Sequence, residues 1–189
     1  MSLATLFEKT WKGLEAEYSD TPIEIYTGKH NRNQAMLVAI FCKLFNSGSN
    51  HLHATYDARN LPDKSYRPNF IIWNDEHREP QVVFMGDIKY KHQDLIGLQQ
   101  DIGELIAYTR NTFVEVLTSH DSTDEMKVAP DIEPGYFVVG EFEPEVISHE
   151  FASLNLPPRE LARFHFAYGS IKRNPLFEYM NLVLAGVNQ

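Results

Sequence analysis

A chain of 189 residues, 43% hydrophobic and 12% aromatic, suits one globular domain with a real core. No apolar run approaches the roughly 20 residues that span a bilayer, and Glu8 and Lys9 stand where a signal peptide needs its apolar segment, so a soluble, cytoplasmic protein is expected. The formal charge of −9 excludes a broad basic surface but leaves room for local clusters at Lys29, His30 and Arg32, at Lys89, Lys91 and His92, and at Arg159, Arg163, Lys172 and Arg173.

In chain order, Leu3, Phe7, Trp11 and Leu14 predict a helix over 3–18, and Ile23 to Tyr26 a short strand. Gly28 to Asn33 reads as a loop with two asparagines suited to capping a helix; it lacks the upstream glycine and the Ser or Thr of a phosphate-binding loop. A helix over 34–46 carries Leu37, Ile40, Phe41, Leu44 and Phe45 as its apolar stripe, with Gly48 past its end. Cys42 falls within that stripe, cannot form an internal disulfide, and reads as a core residue rather than a redox or nucleophilic group. Strands are expected at 51–57, 67–74 and 81–90, the last two as a hairpin, followed by a helix over about 93–110 and a strand at 113–117. Residues 119–134 read as an exposed acidic loop, Gly135 to Phe142 as a strand, 159–168 as a helix introduced by Pro157-Pro158, and 176–185 as a last short helix. The order helix, three strands, helix, strand indicates an α/β domain with helices on both sides of its sheet.

Chemistry concentrates in two apolar runs. The first is Tyr66-Arg67-Pro68-Asn69-Phe70-Ile71-Ile72-Trp73; the second ends in Gly86-Asp87-Ile88-Lys89-Tyr90-Lys91. On a strand, side chains alternate faces, so Asp87 and Lys89 project together while Ile88 points away. Phosphodiester hydrolysis needs a divalent cation to polarise the phosphoryl group and lower the pKa of a water, and a cationic group to meet developing charge. Asp87 would hold such a metal, the Ile88 carbonyl could add an oxygen, and Lys89 would contact water and phosphate. Mg²⁺ keeps several waters, so a sparse oxygen site suffices. The plainer alternative is an edge-strand charge pair worth at most about 1 kcal/mol.

This layout resembles the PD-(D/E)xK nuclease superfamily, and most closely the nuclease subunit of McrC-type restriction systems. The matching residues are Arg67-Pro68-Asn69, Asp87-Ile88-Lys89-Tyr90-Lys91, and Asp101-Ile102-Gly103-Glu104 with Tyr108 on the following helix. The resemblance covers roughly residues 34–118. It implies a restriction-endonuclease-like core, a central mixed sheet flanked by helices, with a C-terminal α/β extension over 119–189 and all of 1–189 as a single domain. It further implies Asp87, Lys89 and Asn69 as catalytic residues, Asp87, Asn69 and Ile88 as metal contacts, and Asp101, Glu104 and Tyr108 as supporting groups. Two departures stand out: Asn69 replaces a metal-binding aspartate, and Glu104 a glutamine. The superfamily also tends to use a glutamate from its first helix; the helix over 34–46 offers only Gln34, while Glu8 and Glu15 lie in the helix before it.

The expected function is a metal-dependent deoxyribonuclease, restriction or phage-defence-like, using Mg²⁺ or Mn²⁺ on DNA. The alternative is a catalytically inactive nuclease-fold module that binds nucleic acid or a protein partner, a homodimer included. Other motifs are weaker. His51-x-His53, with Asp57 further along, has two imidazoles on one strand face but no evident third metal ligand. Ser148-His149-Glu150 has hydrolase residue types without a nucleophile elbow. Tyr66, Trp73 and Tyr90 suit either base stacking or strand packing.

Overall fold

The structure, a computed structural model, describes residues 2–20, 30–56, 66–76, 78–90, 95–119, 122–140, 142–170 and 176–180. Its elements are α1 (Leu3–Asp20), α2 (His30–Ser47), β1 (Leu52–Tyr56), β2 (Phe70–Asn74), β3 (Gln81–Tyr90), α3 (Leu95–Tyr108), β4 (Phe113–Ser119), β5 (Ser122–Gly140), α4 (Pro144–Ala152), α5 (Pro158–Leu161), β6 (His165–Ser170) and β7 (Leu176–Met180). The described strands form one mixed sheet in the order β1-β2-β3-β5-β6-β7, with β4 paired to β5. The β2–β3 pair is antiparallel, as a hairpin requires, whereas β3–β5 and β5–β6 are parallel. A parallel neighbour needs a crossover, and α3 with β4 provides the one between β3 and β5.

Alternation along the central strands divides the core. Phe84, Ile88, Phe137 and Val139 face α1 and α2, meeting Phe7, Trp11, Phe41 and Phe45. Met85, Tyr136, Val138 and Phe166 face the opposite layer, where Leu98, Ile102 and Leu105 of α3 and Ile147 and Phe151 of α4 cover them. On the first face the rings pack in mutual contact, Phe7 lying 4.5 Å from Phe84 and Phe41 4.9 Å from Phe70 between centroids. The buried Trp11 indole N–H donates to the Tyr168 carbonyl at 2.9 Å, tying α1 to β6.

Several elements depart from the sequence reading. Helix α2 begins at His30, inside the segment read as a loop, and the strand expected at 23–26 lies outside the described residues. The acidic stretch 119–134 is largely strand: β5 starts at Ser122, pairs with β4, and buries Met126, Val128 and Ile132 while Asp124 and Glu125 point outward. The helix expected over 159–168 reduces to the single turn of α5, and His165 to Ser170 form β6, buried along its whole length. The segment expected as a last helix opens as β7, paired antiparallel to β6. Helix α4 has no counterpart in the sequence reading.

Gly86 and Gly135 are register partners on β3 and β5. Each faces the phenylalanine layer, and a Cβ on Gly86 would lie 2.7 Å from both Phe70 Cζ and Phe84 Cε1. Glycine is required here by close approach, next to Asp87. Gly86→Ala is expected to lower stability by about 1–3 kcal/mol through overpacking. Adding Phe84→Leu should recover part of the loss, as urea midpoints of the single and double variants would show.

Candidate functional site

Phe70 pairs with Gly86, so the next residues outward on β2 and β3, Asn69 and Asp87, are neighbours. Pro68 precedes Asn69 and has no N–H to extend the ladder. Side chains take over. The Asn69 backbone N–H donates to Asp87 Oδ1 at 2.8 Å, and the Ile88 backbone N–H donates to Asn69 Oδ1 at 3.0 Å. From α2, Gln34 Nε2 donates to the same Asn69 oxygen at 3.2 Å.

Asp87 is fully buried, at 0% exposure. Its second oxygen, Oδ2, accepts the Tyr66 hydroxyl at 2.7 Å and lies 3.7 Å from Lys89 Nζ. Lys89 reaches onward to Asp101 Oδ2 of α3 at 3.2 Å, and Tyr136, the register partner of Asp87 on β5, donates its hydroxyl to that same oxygen at 3.0 Å. The result is a continuous network: two tyrosine hydroxyls, two aspartates and one lysine between them. Burial pushes the Asp87 carboxyl above the usual range, while Lys89, the Tyr66 hydroxyl and the Asn69 N–H pull it back. Burial, reinforced by the adjacent carboxylates, raises the Tyr66 and Tyr136 phenols, so both act as hydrogen-bond donors rather than phenolates.

Of the expected site residues, Asp87, Lys89, Asn69, the Ile88 backbone and Asp101 lie together. Tyr108 is half-buried, its ring edge-on to Tyr66 at 6.0 Å. Glu104 is exposed and bonded to Gln100, Glu15 pairs with Lys12 on α1, and Glu8 is exposed on the same helix. Sequence reasoning gives no site role to Tyr136 and reads Tyr66 as a base-stacking or packing group. Gln34 stands out in the sequence only as the polar residue where a glutamate is sought.

The donor set does not fit a divalent cation. One carboxylate, Asp87, stands at the junction of β2 and β3, and each of its oxygens already receives a proton donor. The Asn69 oxygen, the next available ligand, is spent on two N–H groups. Among the described residues, no three His, Cys, Asp or Glu side chains are grouped as a metal ion would need.

Two solved structures match the fold over most of this chain. NucC from E. coli, in its cAAA-bound form, superposes with a TM-score of 0.53 at 14% identity over 96% of this chain and 85% of its own. NucC from P. aeruginosa, also cAAA-bound, does so with a TM-score of 0.53 at 13% identity over 95% and 84%. The core is restriction-endonuclease-like. This likeness bears out the fold expected from the sequence and does not single out the McrC-type branch. No family model and no curated protein matches the sequence.

Elsewhere, the structure supplies a partner for the strand histidines. Asp75 sits between them, 3.3 Å from His51 Nδ1 and 2.8 Å from His53 Nε2, and these bonds hold its carboxyl below the usual range; Asp57 lies outside the described residues. Trp73 stacks on His53 at 4.3 Å rather than presenting a free face on that side. Burial pushes the Cys42 thiol up, which suits a packing role. His149 is exposed on α4, and the Ser148 side chain is outside the described set. Of the basic clusters, Arg163 is bound to Glu160 and to the Ile132 carbonyl, and Arg159 is exposed; the side chains of Lys29, His30, Arg32, Lys91, His92, Lys172 and Arg173 are outside the described set. Among the described residues, no helix is long and apolar enough to cross a membrane.

The buried Asp87 sets a pH dependence. In the folded state it keeps its proton to higher pH than in the unfolded chain, so the native state binds more protons in that window. Stability therefore falls as pH climbs from about 4, the unfolded value, through the raised one, and is flat above it. Asp87→Asn is expected to abolish this slope. The difference in urea midpoint between variant and wild type should then grow from acid toward neutral pH.

Proposed function

We propose that this chain is a DNA-binding module of the restriction-endonuclease-like fold, acting in the cytoplasm, whose phosphodiester-cleaving centre has become a neutralised hydrogen-bond network. The observation that carries this reading is a buried carboxylate, Asp87, both of whose oxygens take donors within the protein, next to Asn69, whose side-chain oxygen is taken up by the Gln34 amide and the Ile88 N–H. Carboxylates offer only acceptors and draw in cations; amides add N–H donors without charge. Lys89, held between Asp87 and Asp101, is the ammonium that would meet a phosphate oxygen directly, as backbone-positioning contacts do. Lys89 keeps an outlet for this, its side chain being 19% exposed.

A second reading is favoured by a specific feature. Asp87 and Lys89 project from the same face of β3 and Lys89 is braced by Asp101, the disposition that a Mg²⁺- or Mn²⁺-dependent deoxyribonuclease of restriction or phage-defence type would use. The McrC-type affinity seen in the sequence belongs to this reading.

One set of measurements separates them. Fluorescence anisotropy with duplex and single-stranded DNA should show binding that weakens steeply between about 50 and 200 mM salt. Lys89→Ala should lower affinity and reduce the log–log salt slope by about 0.9 for each phosphate that the lysine neutralises. Plasmid and linear DNA should survive incubation with wild type in Mg²⁺ or Mn²⁺. Cleavage by wild type that disappears in Lys89→Ala would establish the second reading, and absence of binding at low salt would remove DNA as the partner.

A further inference from the structure

We infer that Asp101 is an internal competitor for Lys89: its carboxylate holds the ammonium as a phosphate oxygen would, and a phosphate group binds this corner by displacing it. This rests on the reading of the corner as a nucleic-acid-binding centre and adds to it the residue that sets its affinity.

Lys89 can leave the network without orphaning its neighbours. Asp87 Oδ1 still accepts the Asn69 N–H at 2.8 Å and Oδ2 the Tyr66 hydroxyl at 2.7 Å, so the buried carboxyl keeps a donor on each oxygen. Asp101 Oδ2, which Lys89 Nζ approaches to 3.2 Å, still accepts the Tyr136 hydroxyl at 3.0 Å. No buried polar group is stripped of its last partner, which is what makes such an exchange affordable in a protein interior. The Lys89 and Asp101 side chains also keep 19% and 18% of their exposure, against 0% for Asp87. Rotation about the lysine's own side-chain bonds is enough to carry the ammonium outward.

Of the two acids, Asp101 is the one that competes. Lys89 Nζ lies within hydrogen-bonding distance of it but 3.7 Å from Asp87 Oδ2. A carboxylate and a phosphodiester offer an ammonium the same thing, an anionic oxygen that accepts N–H. The two anions repel at this spacing, so Lys89 cannot serve both without cost. Tyr136, on β5, holds Asp101 in place while the lysine moves. Before any phosphate arrives, Asp101 gives a largely buried ammonium the partner that its burial demands.

The test uses the full chain and two probes at about 50 mM salt, duplex DNA by fluorescence anisotropy and inorganic tripolyphosphate by isothermal titration calorimetry. Asp101→Asn keeps the shape and an acceptor for Tyr136 while removing the charge, and should bind both probes at least about 5-fold tighter than wild type. In a Lys89→Ala background the same substitution should change affinity by less than about 2-fold, so that the double-mutant cycle isolates the pair. A gain of equal size in both backgrounds would overturn the inference, because loss of a negative charge alone would account for it. Asp101→Asn binding no tighter than wild type would overturn it too, making Asp101 a positioning residue for Lys89 and leaving the DNA-binding proposal intact. If tripolyphosphate shows the expected pattern while no variant binds DNA, the competition stands and DNA is removed as the partner. Binding of neither probe by any variant would overturn both. Should Asp101→Asn not fold, wild type carries the test by nuclear magnetic resonance. Saturation with tripolyphosphate should move the ¹³C signal of the Asp101 carboxyl toward its position in Lys89→Ala, and a signal that stays in place while tripolyphosphate binds would overturn the inference.

Discussion

A carboxylate shut away from water must find compensation inside the protein, and Asp87 finds it in groups from several directions. The Asn69 amide comes from the strand entry beside it, the Tyr66 hydroxyl from the segment leading there, and the Lys89 ammonium from its own strand. Asp101 of α3 then anchors Lys89, and Tyr136 of β5 anchors Asp101. Without these partners the burial of Asp87 would cost several kcal/mol. The packing of α3 over β3 and β5, and the entry angle of β2, are thus tied to one charged side chain. The same network leaves its members little freedom for other work. Asp87 spends both oxygens on donors within the protein, which is why the corner reads as structural glue as much as chemistry.

The balance of charge at this point decides its chemistry more than its shape does. The fold brings α2, β2 and β3 together on a frame like that of the NucC structures, at an identity low enough that backbone architecture is what the two share. What this chain places on that frame is its own. Asn69 and Gln34 meet there as neutral amides, and Lys89 lies between two aspartates.

Local patterns carried much of this architecture. Helices α1 and α2 showed their apolar stripes, β2 and β3 their runs and the turn between them, and α3 its spacing of Leu98, Ile102 and Leu105. The second half of the chain misled for physical reasons. The first part of β5 exposes Asp124 and Glu125 on one side, so composition hid an alternation visible at Met126 and Val128. Strand β6 runs parallel to β5 and is buried throughout, leaving no polar-apolar rhythm to distinguish it from a helix. In the site, Asp87 and Lys89 were readable from spacing of two on a strand. Tyr136 was not, since its meeting with Asp101 depends on a parallel pairing that no local pattern encodes. Gln34 was visible as a polar residue at the right helix, but its contact with Asn69 is a fact of three dimensions.

That parallel pairing has a kinetic consequence. Asp87 lies beside Tyr136 only after β3 and β5 have closed across the whole of α3 and β4, and Gln34 must also dock on Asn69 from α2, 35 residues earlier. Contacts so distant along the chain are slow to form, because loop-closure entropy must be met before they yield any stabilisation. Early collapsed forms of this protein would hold Asp87 with few of its partners, a polar group that loses water without gaining hydrogen bonds. The corner is therefore a late checkpoint: it penalises partly assembled sheets, and it becomes favourable only when all of its contributing elements are seated.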